Sequence, residues 1–268
     1  MKKSIATVSL PGKLREKLEA IAGAGFEGVE IFEPNLKTFD GSPREIGQLA
    51  RDLGLTVEMF QPLRDIEGVQ PAQFQANLDR AEAAFDITAE LGAPLLLVCA
   101  NTNAEASPDT SLMAAQLNEL AERAARRGLR IGYEALAWST HAFTFEKAFQ
   151  VVQLAGNPNL GLVLDSFHTL IRPDDWSSLA SLPGRRIAFL QVGDAKRIEA
   201  DYLTQRRHHS RLPGEGDLDV VAFVRSVRTC GYAGPLSLEI FNEASTDTLP
   251  VAAAAAMSSL KKLEALAK

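Results

Sequence analysis

Four oxygen-bearing side chains end apolar runs in the second half of the chain: Glu134, Asp165, Gln191 and Glu239. Each follows residues that we predict to form a buried strand. Leaving three carboxylates unpaired in a low-dielectric interior would cost several kcal/mol each, so we predict that a divalent cation binds them. An all-oxygen set favours Mg²⁺ or Mn²⁺, with Co²⁺ as a further candidate. The alternative is that one or two of these acids pair with an Arg or Lys across the interior.

His168 stands three residues beyond Asp165, in the segment that leaves the same predicted strand. An imidazole that titrates near neutrality is the usual general acid or base. A single loop histidine is more often a surface or packing residue, but its position beside a predicted metal ligand favours chemistry. We therefore predict that His168 is the catalytic residue.

A basic run follows the seventh predicted strand of this acidic protein. It comprises Arg206, Arg207, His208, His209 and Arg211. Arginine suits bidentate capture of a carboxylate. We predict that Arg211, with His209, binds the substrate, because Arg211 lies nearest a Pro-Gly turn. A solvated loop explains Arg206 and Arg207 at least equally well.

A second candidate site for a substrate carboxylate follows the third predicted strand. Gln61 and Arg64 lie there, and we predict that both bind substrate. The competing interpretation of Arg64 is a salt bridge with Asp65 or Glu67.

The elements that must position these side chains form a regular alternation. Short β-rich runs alternate with amphipathic helical patterns eight times within 268 residues. The predicted strands cover residues 4–9, 28–32, 56–60, 95–99, 130–134, 161–165, 186–191 and 236–240. Eight such units predict a (β/α)8 TIM barrel, in which the carboxyl ends of the strands share one face. We expect residues 1–268 to form a single catalytic domain. A doubly wound sheet is the alternative, but no G-x-G-x-x-G follows the first strand.

Composition limits the classes of partner. The formal net charge is −6, and no run approaches the ~18 uncharged apolar residues of a membrane span, so we expect neither nucleic acid nor membrane as a partner. Two cysteines, Cys99 and Cys230, are expected to be reduced thiols, which fits a cytoplasmic location. The sequence leaves the oligomeric state open and is compatible with a homo-oligomer.

Several strings resemble known families. Residues 25–32 (GFEGVEIF), Asp165 with His168, and residues 213–216 (PGEG) resemble the xylose-isomerase-like barrel superfamily of sugar isomerases, epimerases and endonuclease IV. Residues 4–10 (SIATVSL), 40–46 (DGSPREI) and 60–65 (FQPLRD) resemble the bacterial 3-dehydroshikimate dehydratases, through nearly the whole chain. Some of those proteins carry a second domain similar to 4-hydroxyphenylpyruvate dioxygenase.

The resemblance implies a hydro-lyase that converts 3-dehydroshikimate, a small carboxylated cyclic keto acid, to protocatechuate and water. It implies a metal site at Glu134, Asp165, Gln191 and Glu239, although many superfamily members place histidine where Gln191 stands. His168 would act as the base that removes the proton beside the ketone.

Three other functions compete with this one. A ketose epimerase or hydroxypyruvate-type isomerase would use the same metal but needs a second acid or base, and the two available glutamates would already be ligands. A repair endonuclease would need a histidine-rich site, and the chain has four histidines. A non-catalytic ligand-binding barrel would bind metal and substrate without product.

Overall fold

A computed structural model, which describes residues 1–241 and 247–268, contains eight parallel strands that close into a barrel. The strands, in chain order, are β1 (Lys3–Ala6), β2 (Gly28–Phe32), β3 (Thr56–Arg64), β4 (Leu95–Cys99), β5 (Arg130–Glu134), β6 (Leu160–Asp165), β7 (Ile187–Val192), β8 (Asp194–Ala195), β9 (Ser210–Arg211) and β10 (Leu236–Leu238). Strands β1 to β7 follow one another around the barrel, and β10 closes it between β7 and β1. The short strands β8 and β9 form a separate antiparallel pair. The predicted (β/α)8 barrel is confirmed.

Helices follow the strands and surround the barrel. They are α1 (Leu14–Gly23), α2 (Glu33–Lys37), α3 (Pro43–Asp52), α4 (Pro71–Leu91), α5 (Thr110–Ala125), α6 (Phe145–Ala155), α7 (Ser166–Leu170), α8 (Tyr202–His209), α9 (Val220–Thr229) and α10 (Leu249–Leu266). Within the described ranges, none of these helices combines the length and the apolar character needed to cross a membrane.

Local sequence explains where α3 begins. Ser42 accepts a hydrogen bond from the amide of Glu45, and the Glu45 carboxylate accepts one from the amide of Ser42, at 2.6 Å. Pro43 occupies the first helical position. This reciprocal capping satisfies free amides at the helix start.

The barrel interior is tightly packed below its mouth. Met59, Leu97 and Phe189 belong to a small apolar cluster distinct from the larger core between strands and helices. Gly132 contributes to this packing, because a Cβ there would lie 2.5 Å from a methyl group of Val163. This packed interior supports the polar residues at the carboxyl ends of the strands.

The first and last strands are shorter than predicted. Strand β1 ends at Ala6, after which Thr7 forms a 3-10 turn and its hydroxyl accepts a hydrogen bond from the amide of Phe32, at 3.0 Å. Strand β10 ends at Leu238, and the amide of Ile240 instead donates to the Ser9 hydroxyl at 3.0 Å. Side-chain oxygens therefore replace strand partners at both ends, which apolar patterning alone does not reveal.

Candidate active site

A cavity of about 980 Å³ opens at the carboxyl ends of the barrel strands. Its polar lining includes Gln61, Arg64, Glu134, His168, Arg206, Arg207 and Glu239. Its apolar lining includes Phe32, Phe60, Leu97, Leu136, Trp138 and Phe241. The cavity therefore combines an apolar wall with a few polar groups, as small-molecule sites usually do.

The four predicted metal ligands lie at the ends of neighbouring strands. Glu134 ends β5, Asp165 ends β6, Gln191 lies beside Asp165 in the register of β7, and Glu239 follows β10. All four side chains are buried. Two of their oxygens, Oε1 of Glu134 and Oε1 of Gln191, have no hydrogen-bond partner among the described residues. A buried oxygen without a partner is costly, which indicates that a ligand belongs there.

Arg206 is a member of this cluster, although the sequence left its assignment to a solvated loop open as an equally good interpretation. That assignment is wrong, because the side chain is fully buried and its NH2 group lies 2.7 Å from both Asp165 Oδ2 and Glu239 Oε2. Its guanidinium carbon also lies over the rings of Phe167 and Phe241, 5.2 and 5.3 Å from their centres. The alternative of an arginine pairing with two of the acids is therefore realised.

The pairing with Arg206 leaves part of the cluster free. The guanidinium contacts one side-chain oxygen each of Asp165 and Glu239 and does not contact Glu134 within ion-pair distance. Three carboxylates and one guanidinium leave a formal charge of −2 when all are ionised. A dication would neutralise this charge, so the residues present fit a divalent metal as well as the arginine.

The pKa values of the carboxyl groups reflect their burial. Burial raises the pKa of Glu134 well above its usual range, and the charges of Glu239 and Asp165 raise it further. Burial raises the pKa of Asp165 to about 7, although Arg206 opposes that shift. Without a further cation, burial therefore favours the protonated form of both groups.

His168 lies against this cluster. One of its ring nitrogens and one oxygen each of Glu134 and Asp165 all lie within 4.8 Å of one another, so His168 could also contribute to a metal site. The sequence did not indicate this role. Burial and, after it, the positive charges of Arg206 and Arg64 lower the pKa of His168 well below its usual range. The ring is therefore neutral at physiological pH.

The hydrogen bonds of His168 define its tautomer. The backbone amide of Ala137 donates to Nδ1 at 3.1 Å, so the neutral ring carries its proton on Nε2. The ring packs edge-on against Trp138, with the two ring centres 4.8 Å apart. In this arrangement Nε2 is a hydrogen-bond donor and the only lone pair is on Nδ1. A catalytic role for His168 stays a prediction.

The predicted substrate-binding residues separate into two groups. Gln61 and Arg64 line the cavity, and neither Asp65 nor Glu67 forms a salt bridge with Arg64 in the described ranges. The basic run divides: Arg206 and Arg207 line the cavity, whereas Arg211 and His209 are not among its described lining residues, and substrate binding by these two stays a prediction.

Local structure explains this division of the basic run. Arg206 belongs to helix α8 rather than to a loop, and Leu203, one helical turn earlier, lines the same cavity. Arg211 belongs to β9, where it pairs with Asp194 of β8, and its guanidinium donates to the carbonyl of Ser210 at 2.8 Å.

Glu30 is a second polar residue that the sequence did not indicate. Its side chain is fully buried in the barrel interior. Its Oε2 accepts hydrogen bonds from the side-chain amides of Gln61 and Gln191, at 2.7 and 2.8 Å. Its Oε1 accepts a short hydrogen bond from Ser237. In the sequence, Glu30 contributed only to the string GFEGVEIF, which resembles the superfamily and assigned no role to this residue.

The barrel and its polar mouth define the class of protein. The chain belongs to the xylose isomerase-like TIM barrel family, whose model matches residues 18–263.

Among characterised relatives, the chain is most informatively compared with two bacterial proteins. It is 53% identical over 243 residues to a 3-dehydroshikimate dehydratase of Pseudomonas aeruginosa and 50% identical over 243 residues to one of Pseudomonas putida. The predicted resemblance is confirmed. Both alignments cover 91% of this chain but 38% of the relative, so the chain spans less than half the length of these proteins.

Solved structures agree with the fold. A xylose isomerase-like TIM barrel/4-hydroxyphenylpyruvate dioxygenase fusion protein superposes with a TM-score of 0.96 at 48% identity, over 98% of this chain and 42% of that one. The IOLI protein with a bound zinc atom superposes with a TM-score of 0.86 at 20% identity, over 98% of both chains. At this lower identity the likeness concerns the fold alone.

Proposed function

We propose that this chain dehydrates 3-dehydroshikimate to protocatechuate. The observation that supports this most is the cluster of buried oxygens at the cavity, two of them unpartnered, in a chain about half identical to two dehydratases. The cavity also offers arginines to a carboxylated substrate and a neutral histidine to a proton transfer. Together these groups suit the elimination of water from a β-hydroxy ketone that carries a carboxylate.

The metal site in this proposal consists of Glu134, Asp165, Gln191 and Glu239. Oxygen donors favour Mg²⁺ or Mn²⁺, with Co²⁺ as a further candidate. When bound, the dication would polarise the substrate ketone and acidify the C–H bond beside it. The zinc atom in the IOLI structure supports metal binding at such a barrel.

His168 is the proposed proton-transfer residue. It takes the proton from the carbon beside the ketone, and the C–H electrons form a new double bond as the β-hydroxyl leaves. The same proton then passes to that hydroxyl, which departs as water. Because the neutral ring has its lone pair on Nδ1, this step requires Nδ1 to exchange the Ala137 amide for the substrate. The six-membered ring of the substrate then becomes aromatic by losing one further proton from its CH2 carbon, while its ketone oxygen gains a proton and becomes the second hydroxyl of the product.

Arg64 is the proposed partner of the ring carboxylate, with Arg207 at the rim of the cavity as a second cation. Arg206 does not take this role, because Asp165 and Glu239 already occupy its guanidinium. Arg206 instead neutralises part of the carboxylate charge.

The direct test is an assay of the protein with 3-dehydroshikimate and, in parallel, with free ketoses. The protein is first stripped with a chelator and then reloaded with Mg²⁺, Mn²⁺ or Co²⁺. We expect aromatic ultraviolet absorbance from 3-dehydroshikimate only, and only after reloading. No product with any of these ions, or conversion of ketoses alone, would overturn the proposal.

A further inference from the structure

We infer that Glu30 is a positioning residue that holds the Gln191 side chain with its amide oxygen, not its amide nitrogen, free for a cation. This inference rests on the proposed metal site. The carboxylate of Glu30 lies in the barrel interior and does not line the cavity within the described residues. It therefore acts on the site through Gln191.

The hydrogen bonds of Gln191 show which way its side-chain amide is turned. A primary amide presents a donor on one side and an acceptor on the other, and the two orientations differ only by a rotation. Here Nε2 donates to Glu30 Oε2 at 2.8 Å, whereas Oε1 is buried and has no partner. Rotating the amide would place its oxygen against the Glu30 oxygen, which is repulsive.

The unpaired amide oxygen of Gln191 indicates why this orientation matters. Turned the other way, the amide would lose its hydrogen bond to Glu30 and would place its nitrogen, which cannot bind a cation, where Oε1 now lies. The observed orientation leaves Oε1 of Gln191 unpaired, beside a cluster in which Oε1 of Glu134 is unpaired as well. A cation bound to both oxygens would satisfy them, and Glu30 prevents the rotation that would remove one of them.

The same oxygen of Glu30 also orients Gln61. Gln61 Nε2 donates to Glu30 Oε2 at 2.7 Å, and Gln61 lines the cavity. Its amide oxygen is therefore available to accept a hydrogen bond from a substrate hydroxyl. One buried carboxylate oxygen thus sets the polarity of two side chains at the site, one for the metal and one for the substrate.

The test measures Mn²⁺ binding to the chelator-treated protein, without substrate, by the electron paramagnetic resonance signal of free Mn²⁺. Glu30→Met removes the acceptor, and we expect its Kd to rise about 10-fold or more. Glu30→Gln keeps an oxygen for the two amides and can donate to Ser237, so its Kd should stay within about twofold. Ser237→Ala is the matched control, because it removes the contact to the other oxygen of Glu30, and it should also stay within about twofold.

A double-mutant cycle separates orientation from structural damage. Gln191→Glu replaces the amide by a carboxylate with two oxygens, so rotation of the side chain no longer changes which atom faces the metal. With Glu30 present, this substitution also places two carboxylates against each other. The gain in Mn²⁺ affinity from Gln191→Glu should therefore be larger in the Glu30→Met background than in the wild type. Circular dichroism of each variant checks the fold.

The outcomes are distinct for the two proposals. Wild-type protein that does not bind Mn²⁺ would overturn the metal site and this inference together. Wild-type protein that binds Mn²⁺, with equal affinity in Glu30→Met or with no added gain in the double variant, would overturn the role of Glu30 alone.

Discussion

Arg206 shares one guanidinium nitrogen between two carboxylates that we propose to bind a dication. Removing one partner of a buried ion pair leaves the others without compensation, which typically costs 3–5 kcal/mol. Contacts with the rings of Phe167 and Phe241 help to hold the guanidinium in this place. Arg206 is therefore a structural cation as well as part of the site.

We predict that Arg206→Met lowers the free energy of unfolding of the metal-free protein by about 3–5 kcal/mol. Saturating Mn²⁺ should restore part of this loss, because a ligand that binds only the folded state stabilises it. Urea unfolding with and without Mn²⁺ measures both effects. Arg207→Met, at the exposed neighbouring position, is the control and should change stability by less than about 0.5 kcal/mol. Equal effects of the two substitutions would contradict this role of Arg206.

At His168 the expected loss concerns turnover rather than metal binding. We predict that His168→Ala and His168→Gln both lower kcat by about 10²- to 10⁴-fold, the usual contribution of a positioned base. The Gln variant keeps a donor but cannot accept a proton at neutral pH, so it distinguishes a base from a hydrogen-bond donor. Steady-state kinetics with 3-dehydroshikimate, together with Mn²⁺ affinity, measure this. Near wild-type turnover of the Gln variant would remove the base role.

At the scale of elements, Asp194 anchors the loop that contains the PGEG string. Its two carboxylate oxygens accept hydrogen bonds from the backbone amides of Ala195, Gly214, Gly216 and Leu218, at 2.8 to 3.0 Å. Gly216 is required by this contact, since a Cβ there would lie 2.1 Å from Asp194 Oδ1. The string therefore has a structural reason in this chain, which is to close backbone around a buried carboxylate.

We predict that Asp194→Asn lowers the free energy of unfolding by about 2–3 kcal/mol, because an amide group would face backbone donors that need an acceptor. Asp217→Asn provides the comparison, since Asp217 is exposed and pairs with Lys196 at the surface, and it should cost less than about 1 kcal/mol. Chemical denaturation of both variants measures the difference. If Asp194→Asn lowered the free energy of unfolding no more than Asp217→Asn, the hydrogen bonds of Asp194 to the loop would not contribute to stability as predicted.

The sequence predicted the strands better than the connections. Apolar runs placed β2, β4 and β5 at their observed bounds. Helix α8 was missed, because Leu203 and Tyr202 are the only apolar residues in its eight and no hydrophobic face marks it. The burial of Arg206 follows from acids 41 and 33 residues away, a relation that local patterns cannot express.

At the scale of the whole molecule, the buried acids make stability depend on pH. A carboxyl group whose pKa is higher in the folded state stabilises the fold below its unfolded pKa, and this contribution is lost as the pH rises through the folded pKa. For Asp165 that window extends from 3.8 to about 7. A bound dication would replace the proton and remove the penalty.

We therefore predict that the free energy of unfolding of the metal-free protein decreases between about pH 4 and 7 through this group, and that Mn²⁺ stabilises the protein increasingly over the same window. Asp165→Asn should flatten the pH dependence of the metal-free protein. Urea unfolding at a series of pH values tests this. An unchanged slope in Asp165→Asn would contradict the assignment.

The sequence predicted part of the site but not the orientation of its side chains. Barrel geometry brings the ends of distant strands together, so Glu134, Asp165 and Glu239 could be grouped once the strands were placed. The orientation of Gln191 and the partner of Arg206 depend instead on hydrogen bonds across the interior. Such contacts emerge only when the barrel is closed.

The central claim is that four oxygens at the barrel mouth bind one dication while Arg206 keeps its own contacts. Anomalous X-ray scattering at the manganese edge, from crystals grown with Mn²⁺, tests it most directly. We predict one anomalous peak bounded by Glu134, Asp165, Gln191 and Glu239, with Arg206 still paired to Asp165 and Glu239. A peak at another place, or a Mn²⁺-treated crystal in which the guanidinium fills that space and no peak is found there, would contradict the account.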